Sequence, residues 1–89
     1  MADSEEALNN FLVTFHATSA AMRCEKICQQ SELDAHLRPV PRDISSSCGL
    51  ALEVNEVVLC DLKETLNNSD IDVEALYFCR DEEFVELEL

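Results

Sequence analysis

A chain of 89 residues holds one domain with one modest core and leaves no room for a second catalytic lobe. Hydrophobic residues make up 47% and charged residues 28%, a globular balance, and the formal net charge of -13 argues against nucleic acid, whose phosphates need the opposite sign. The acidic start and the lack of about 18 consecutive apolar residues give neither a leader nor a membrane span, so a cytoplasmic protein with five free thiols is expected.

Residues 1–9 read as a flexible lead-in. Phe11, Val13 and Phe15 alternate with Leu12 and Thr14 between Asn10 and His16, so the first strand is apolar on both faces and belongs in the middle of a sheet. Thr18 or Ser19 can cap the helix that follows. In it Ala20, Ala21, Cys24, Ile27 and Cys28 form one stripe, while Arg23, Glu25, Lys26 and Gln29 fall outside. Cys24 and Cys28 therefore face the sheet as packing residues. Their i, i+4 spacing could start a metal site, but no other cysteine pair or histidine cluster completes it, and no metal or cofactor is expected. Leu33, Ala35 and Leu37 then alternate with Asp34, His36 and Arg38, the pattern of a strand wet on one face.

Pro39 and Pro41, each beside an arginine, end that strand and stiffen the approach to Ser45-Ser46-Ser47-Cys48. Gly49, the only glycine, lets the backbone beside the sulfur take a positive φ or lets another group come close. Most free cysteines are small core hydrophobes. Cys48 differs in having loop-formers and serines as neighbours, which suits an accessible, working thiol. From Thr14 to Leu52 four acids (Glu25, Glu32, Asp34, Asp43) balance four bases (Arg23, Lys26, Arg38, Arg42), so the thiol lies in the neutral half; from Glu53 onward twelve acids face only Lys63 and Arg80.

A third strand is expected from Gly49 to Val54, and Asn55 can cap a second helix whose stripe is Val58, Leu59, Leu62, Thr65 and Leu66. Cys60 falls opposite that stripe and should be exposed. Asn67-Asn68-Ser69 ends the helix. A last strand runs from Asp72 to Cys79, with Val73, Ala75, Tyr77 and Cys79 alternating against Glu74, Leu76 and Phe78. Arg80 to Leu89 is an acidic tail whose Phe84, Val85, Leu87 and Leu89 allow either an extra strand or a free end. The domain proper is thus expected over residues 10–79, with the tail at 80–89.

Strand, helix, strand, strand, helix, strand implies an α+β, ferredoxin-like two-layer sandwich (βαββαβ): a four-stranded antiparallel sheet with two helices on one face. In that topology Cys48 lies at the end where the first strand stops. His16, Thr18, Ser19 and the start of the first helix become its neighbours, and a helix start offers free N–H groups and partial positive charge to an anion. Thiolate is the nucleophilic form of cysteine.

Phe15, Thr18, Ala21 and Glu25, followed by Pro39-x-Pro41-Arg42-x-Ile44-Ser45-x-x-Cys48-Gly49-Leu50-Ala51-Leu52, resemble the selenium/sulfur carrier protein-like family of small bacterial proteins over roughly residues 10–78. The resemblance implies that Cys48 holds sulfur or selenium as a persulfide or selenopersulfide between donor and acceptor enzymes. Independently, Cys48 supplies the thiol such a carrier needs, Ser45, Ser46 and Ser47 the hydrogen-bond donors, and Gly49 the small neighbour. Arg42, His16 and Thr18 complete the candidate site. Such a carrier is an accessory protein rather than an independent catalyst, with donor and acceptor proteins as partners and a homodimer through the open sheet face as a further expectation. Two other readings stand beside it: a partner-binding or regulatory domain with a structural cysteine, and a redox sensor in which Cys48 is oxidised and resolved by a second thiol.

Overall fold

β1 (Leu8–Phe15) is the strand whose sequence is apolar on both faces, and it sits at the centre of the sheet with Phe11 to Phe15 all buried. The computed structural model describes residues 8–87, so most of the lead-in expected over residues 1–9 lies outside the described residues, and Leu8 and Asn9 already belong to β1. The chain continues through α1 (Thr18–Gln30), β2 (Asp34–Pro39), β3 (Leu50–Val58), α2 (Leu59–Ser69), β4 (Val73–Arg80) and β5 (Glu83–Leu87).

The four-stranded ferredoxin-like sandwich in βαββαβ order is overturned by this arrangement. Among the described residues the sheet has five antiparallel strands in the order β2-β3-β1-β4-β5, and the elements run β-α-β-β-α-β-β. The acidic tail makes the difference: Asp81 and Glu82 both take positive φ, 50 and 68, and form a two-residue turn that folds β5 back on β4. A tight hairpin of this type matches the natural twist of the strands and requires that backbone at both turn positions.

Alternation assigns the two faces of the sheet. Phe11, Val13 and Phe15 of β1, Leu52 and Val54 of β3 and Leu76 of β4 pack with Ala21, Cys24 and Cys28 of α1 and Leu62 and Leu66 of α2. Burying a side chain of this size is worth about 1.5–3 kcal/mol, so this layer dominates stability. β3 runs four residues longer than its apolar run suggests, because Glu56 adopts φ 54 and the register against β1 shifts there. Asn10 Oδ1 accepts the Glu56 N–H at 3.0 Å, and the irregularity lets Val57 join the core together with Val54. Asn55 therefore lies within β3 and Val58 occupies the cap position of α2; likewise Ala17, rather than Thr18 or Ser19, occupies that of α1.

The opposite face carries a second cluster. Ile44 packs with Leu12 and Ala51, flanked by Val40, Tyr77, Cys79 and Phe84. The segment between β2 and β3 thus folds over the face without helices, and its ends are joined by Val40 N–H donating to Gly49 O at 3.1 Å. It covers part of the surface through which the sequence suggests a homodimer. No helix among the described residues is long and apolar enough to cross a membrane.

Candidate functional site

Cys48 stands at the end of this segment, immediately before β3, and is half-buried. Its sulfur donates to Leu50 O at 3.3 Å and accepts Leu50 N–H at 3.4 Å, so the side chain is held by the first residue of the strand. Gly49 has φ 78, and apart from its neighbours Cys48 and Leu50 nothing lies within 4 Å of the position a Cβ would take. Positive φ explains the glycine. The open space beside it leaves the backbone next to the sulfur approachable from outside.

The serines are organised by a residue that the sequence reading did not single out. Ser46 Oγ lies 3.0 Å from Glu74 Oε1 and 3.2 Å from Phe15 O, while Ser47 donates to Glu74 from its backbone N–H at 3.4 Å and from its hydroxyl at 3.2 Å. His16 Nδ1 approaches the same carboxylate at 3.8 Å. Glu74 is free to turn this way because the β1–β4 register jumps from Thr14↔Ala75 to Phe15↔Val73, leaving Glu74 without a partner in β1. The available signal was a carboxylate at the head of the Glu74, Leu76, Phe78 alternation, a face that is otherwise apolar.

Desolvation pushes the Glu74 carboxyl up, but the hydrogen bonds from the Ser46 hydroxyl, the Ser47 N–H and the Ser47 hydroxyl, with the charge of His16, outweigh it and the net direction is down. An ionised carboxylate has only acceptor positions, which matches these donors.

The fold therefore brings Ser46, Ser47 and His16 together around Glu74, at the end of β1 and beside Cys48 in the chain. Thr18 is the exposed first residue of α1, Ser45 is exposed, and Arg42 is exposed and forms no ion pair among the described residues.

The other thiols have different surroundings. Cys24 and Cys28 are buried against the sheet, and hydrogen bonding to Cys28 together with burial pushes the Cys24 thiol up. Cys79, on the loop-covered face, is also pushed up, by burial and then by the charge of Glu53. Cys60 is exposed on α2 and lines a groove of about 810 Å³ between that helix and the part of the sheet the helices leave uncovered, with Phe11, Leu59, Phe78 and Leu87 as its apolar walls. Cys48 does not line this groove. No group of three or more His, Cys, Asp or Glu among the described residues could hold a metal ion.

Residues 10–78 match the family described as "Putative Se/S carrier protein-like". The chain belongs to this family. A protein of Aquifex aeolicus (strain VF5) named "Putative sulfur carrier protein" is 38% identical over 74 residues, which cover 81% of this chain and 38% of that protein. The chain thus spans less than two-fifths of the length of this relative. No solved structure matches it.

Proposed function

We propose that this member of the selenium/sulfur carrier-like family carries sulfur on Cys48 and passes it between partner proteins in the cytoplasm. The observation that supports this most is the setting of Cys48: half-buried, tethered through Leu50, and beside open space at Gly49.

The chemistry needs no cofactor and no external oxidant. The Cys48 thiolate attacks the outer sulfur of a donor persulfide, R–S–SH; the Cys48 S–S bond forms, the donor's S–S bond breaks, and its electron pair leaves on the donor thiolate. The product is Cys48–S–SH, and an acceptor thiolate repeats the step, returning Cys48 as a thiolate. Loading replaces the S–H that donates to Leu50 O, whereas the Leu50 N–H remains available to the inner sulfur. Selenium in place of the outer sulfur follows the same balance and gives a selenopersulfide.

Intact-protein mass spectrometry after incubation with polysulfide tests the reading, with release to glutathione as the second step. One sulfur-mass adduct that disappears in Cys48→Ser and leaves on addition of glutathione is expected. An adduct that survives the substitution would refute a carrier role for this residue.

A further inference from the structure

The contacts at Glu74 reach beyond the thiol itself. Between Ile44, which is anchored on Leu12 and Ala51, and Gly49, whose carbonyl accepts the Val40 N–H, the segment is tied down by few groups. Three of those ties are made with Glu74: Oε1 accepts from Ser46 Oγ and Ser47 N–H, and Oε2 accepts from Ser47 Oγ. The single Ser46 hydroxyl proton is shared between Glu74 Oε1 and Phe15 O, at the end of the strand against which Glu74 is bulged. A bulge re-aims one side chain and bends its strand, and such irregularities concentrate where a side chain must be presented in a particular way. Here the re-aimed side chain is a carboxylate, and it meets the two residues that precede Cys48.

We propose that Glu74 is a positioning residue for sulfur transfer, whose carboxylate clamps Ser46 and Ser47 to the ends of β1 and β4 and so fixes how Cys48 is presented to a partner's thiol. This rests on the reading that Cys48 carries sulfur. A partner protein must bring its own sulfur into line with the Cys48 S–S bond, and holding the segment in advance removes an ordering cost from that encounter. A small reagent has no such requirement. Releasing the clamp therefore leaves Cys48 more open to small electrophiles while spoiling its fixed geometry.

The test compares wild type with Glu74→Ala and Glu74→Gln in the full chain. Glutamine keeps one carbonyl oxygen for Ser46 Oγ and Ser47 N–H but removes the charge, so it separates clamping from electrostatics. In Glu74→Ala, Ser47 amide exchange and Cys48 alkylation by iodoacetamide are each expected to accelerate about threefold to tenfold, the range for losing an ordinary hydrogen bond. In Glu74→Gln both are expected to stay near wild type. Cys24 and Cys28, buried at 1% and 0% exposure, report on the rest of the molecule and should remain unlabelled. Labelling at those two in Glu74→Ala would signal general opening, and the decision then falls to Glu74→Gln. Unchanged Ser47 exchange in Glu74→Ala, or Glu74→Gln alkylating faster than wild type by the same factor as the alanine variant, would overturn the clamp. Polysulfide loading of wild-type Cys48, run beside these, distinguishes the two failures: no loading overturns the carrier reading and with it the role in transfer, whatever Ser47 exchange reports.

Discussion

Cys60, on the surface of α2, and Cys48, half-buried against the core, are held in different ways, and the contrast is instructive. Cys60 is the more exposed; it stands on the first turn of α2 beside an apolar groove, with no hydrogen bond holding its sulfur among the described residues. Cys48 is only half-buried, yet its sulfur is bonded twice to Leu50, its predecessors Ser46 and Ser47 are bonded to Glu74, and its successor Gly49 leaves space open. Exposure makes a thiol reachable. Presentation, which the Cys48 segment provides, gives it a fixed direction.

The sharpest way to break this comparison is to exchange the thiols for serine one at a time. Cys48→Ser is expected to abolish sulfur loading and release, and Cys60→Ser to leave both unchanged, as read by peptide mass spectrometry. Equal loss from either substitution would erase the distinction.

A smaller effect comes from loosening the floor of the Cys48 segment. Ile44 is 9% exposed and is the segment's anchor on Leu12 and Ala51. Ile44→Ala should cost about 2 kcal/mol in denaturant unfolding, near the low end for such truncations because the site borders solvent. It should also raise Cys48 alkylation more than Cys60 alkylation. Next comes Gly49→Ala, where nothing obstructs the new methyl group and only the positive φ is penalised, so a loss of about 1 kcal/mol is expected. A much larger loss would mean that the space beside Cys48 is not open.

The smallest effect is electrostatic. The folded state holds the Glu74 carboxyl below its ordinary value, with desolvation opposing and the serine hydrogen bonds prevailing, so folded protein binds fewer protons there than unfolded protein does. That contribution is complete above the ordinary carboxylate range and is lost as pH falls through the lowered folded value. Removing it in Glu74→Ala should flatten the fall in stability below about pH 5, measured as denaturation midpoint against pH.

Much of the scaffold was legible because its signals are local. The double-faced apolar run of β1, the Ala21, Cys24, Cys28 stripe of α1 and the proline-bounded Cys48 segment all appear where their patterns point. The misses come from backbone at positive φ on residues that do not advertise it. A Glu56 bulge carried β3 past Asn55, which reads as a helix cap, and the Asp81-Glu82 turn built β5 without the Asn-Gly or Asp-Gly pair that usually marks such a hairpin. Within the candidate site, Cys48, Gly49 and the serines are candidates the chain alone suggests, and the fold gathers Ser46 and Ser47 at Glu74, which the chain alone does not suggest: it lies 28 residues from Ser46 and is turned toward it by a register shift that depends on β1.

The measurement that bears most directly on the carriage of sulfur is the partition of a limiting donor within one molecule. With polysulfide below one equivalent, peptide mass spectrometry of the wild-type protein should find the added sulfur on the Cys48 peptide well before the Cys60 peptide, despite the greater exposure of Cys60. Sulfur divided evenly between the two, or gathered on Cys60, would contradict the assignment of Cys48 as the carrier thiol.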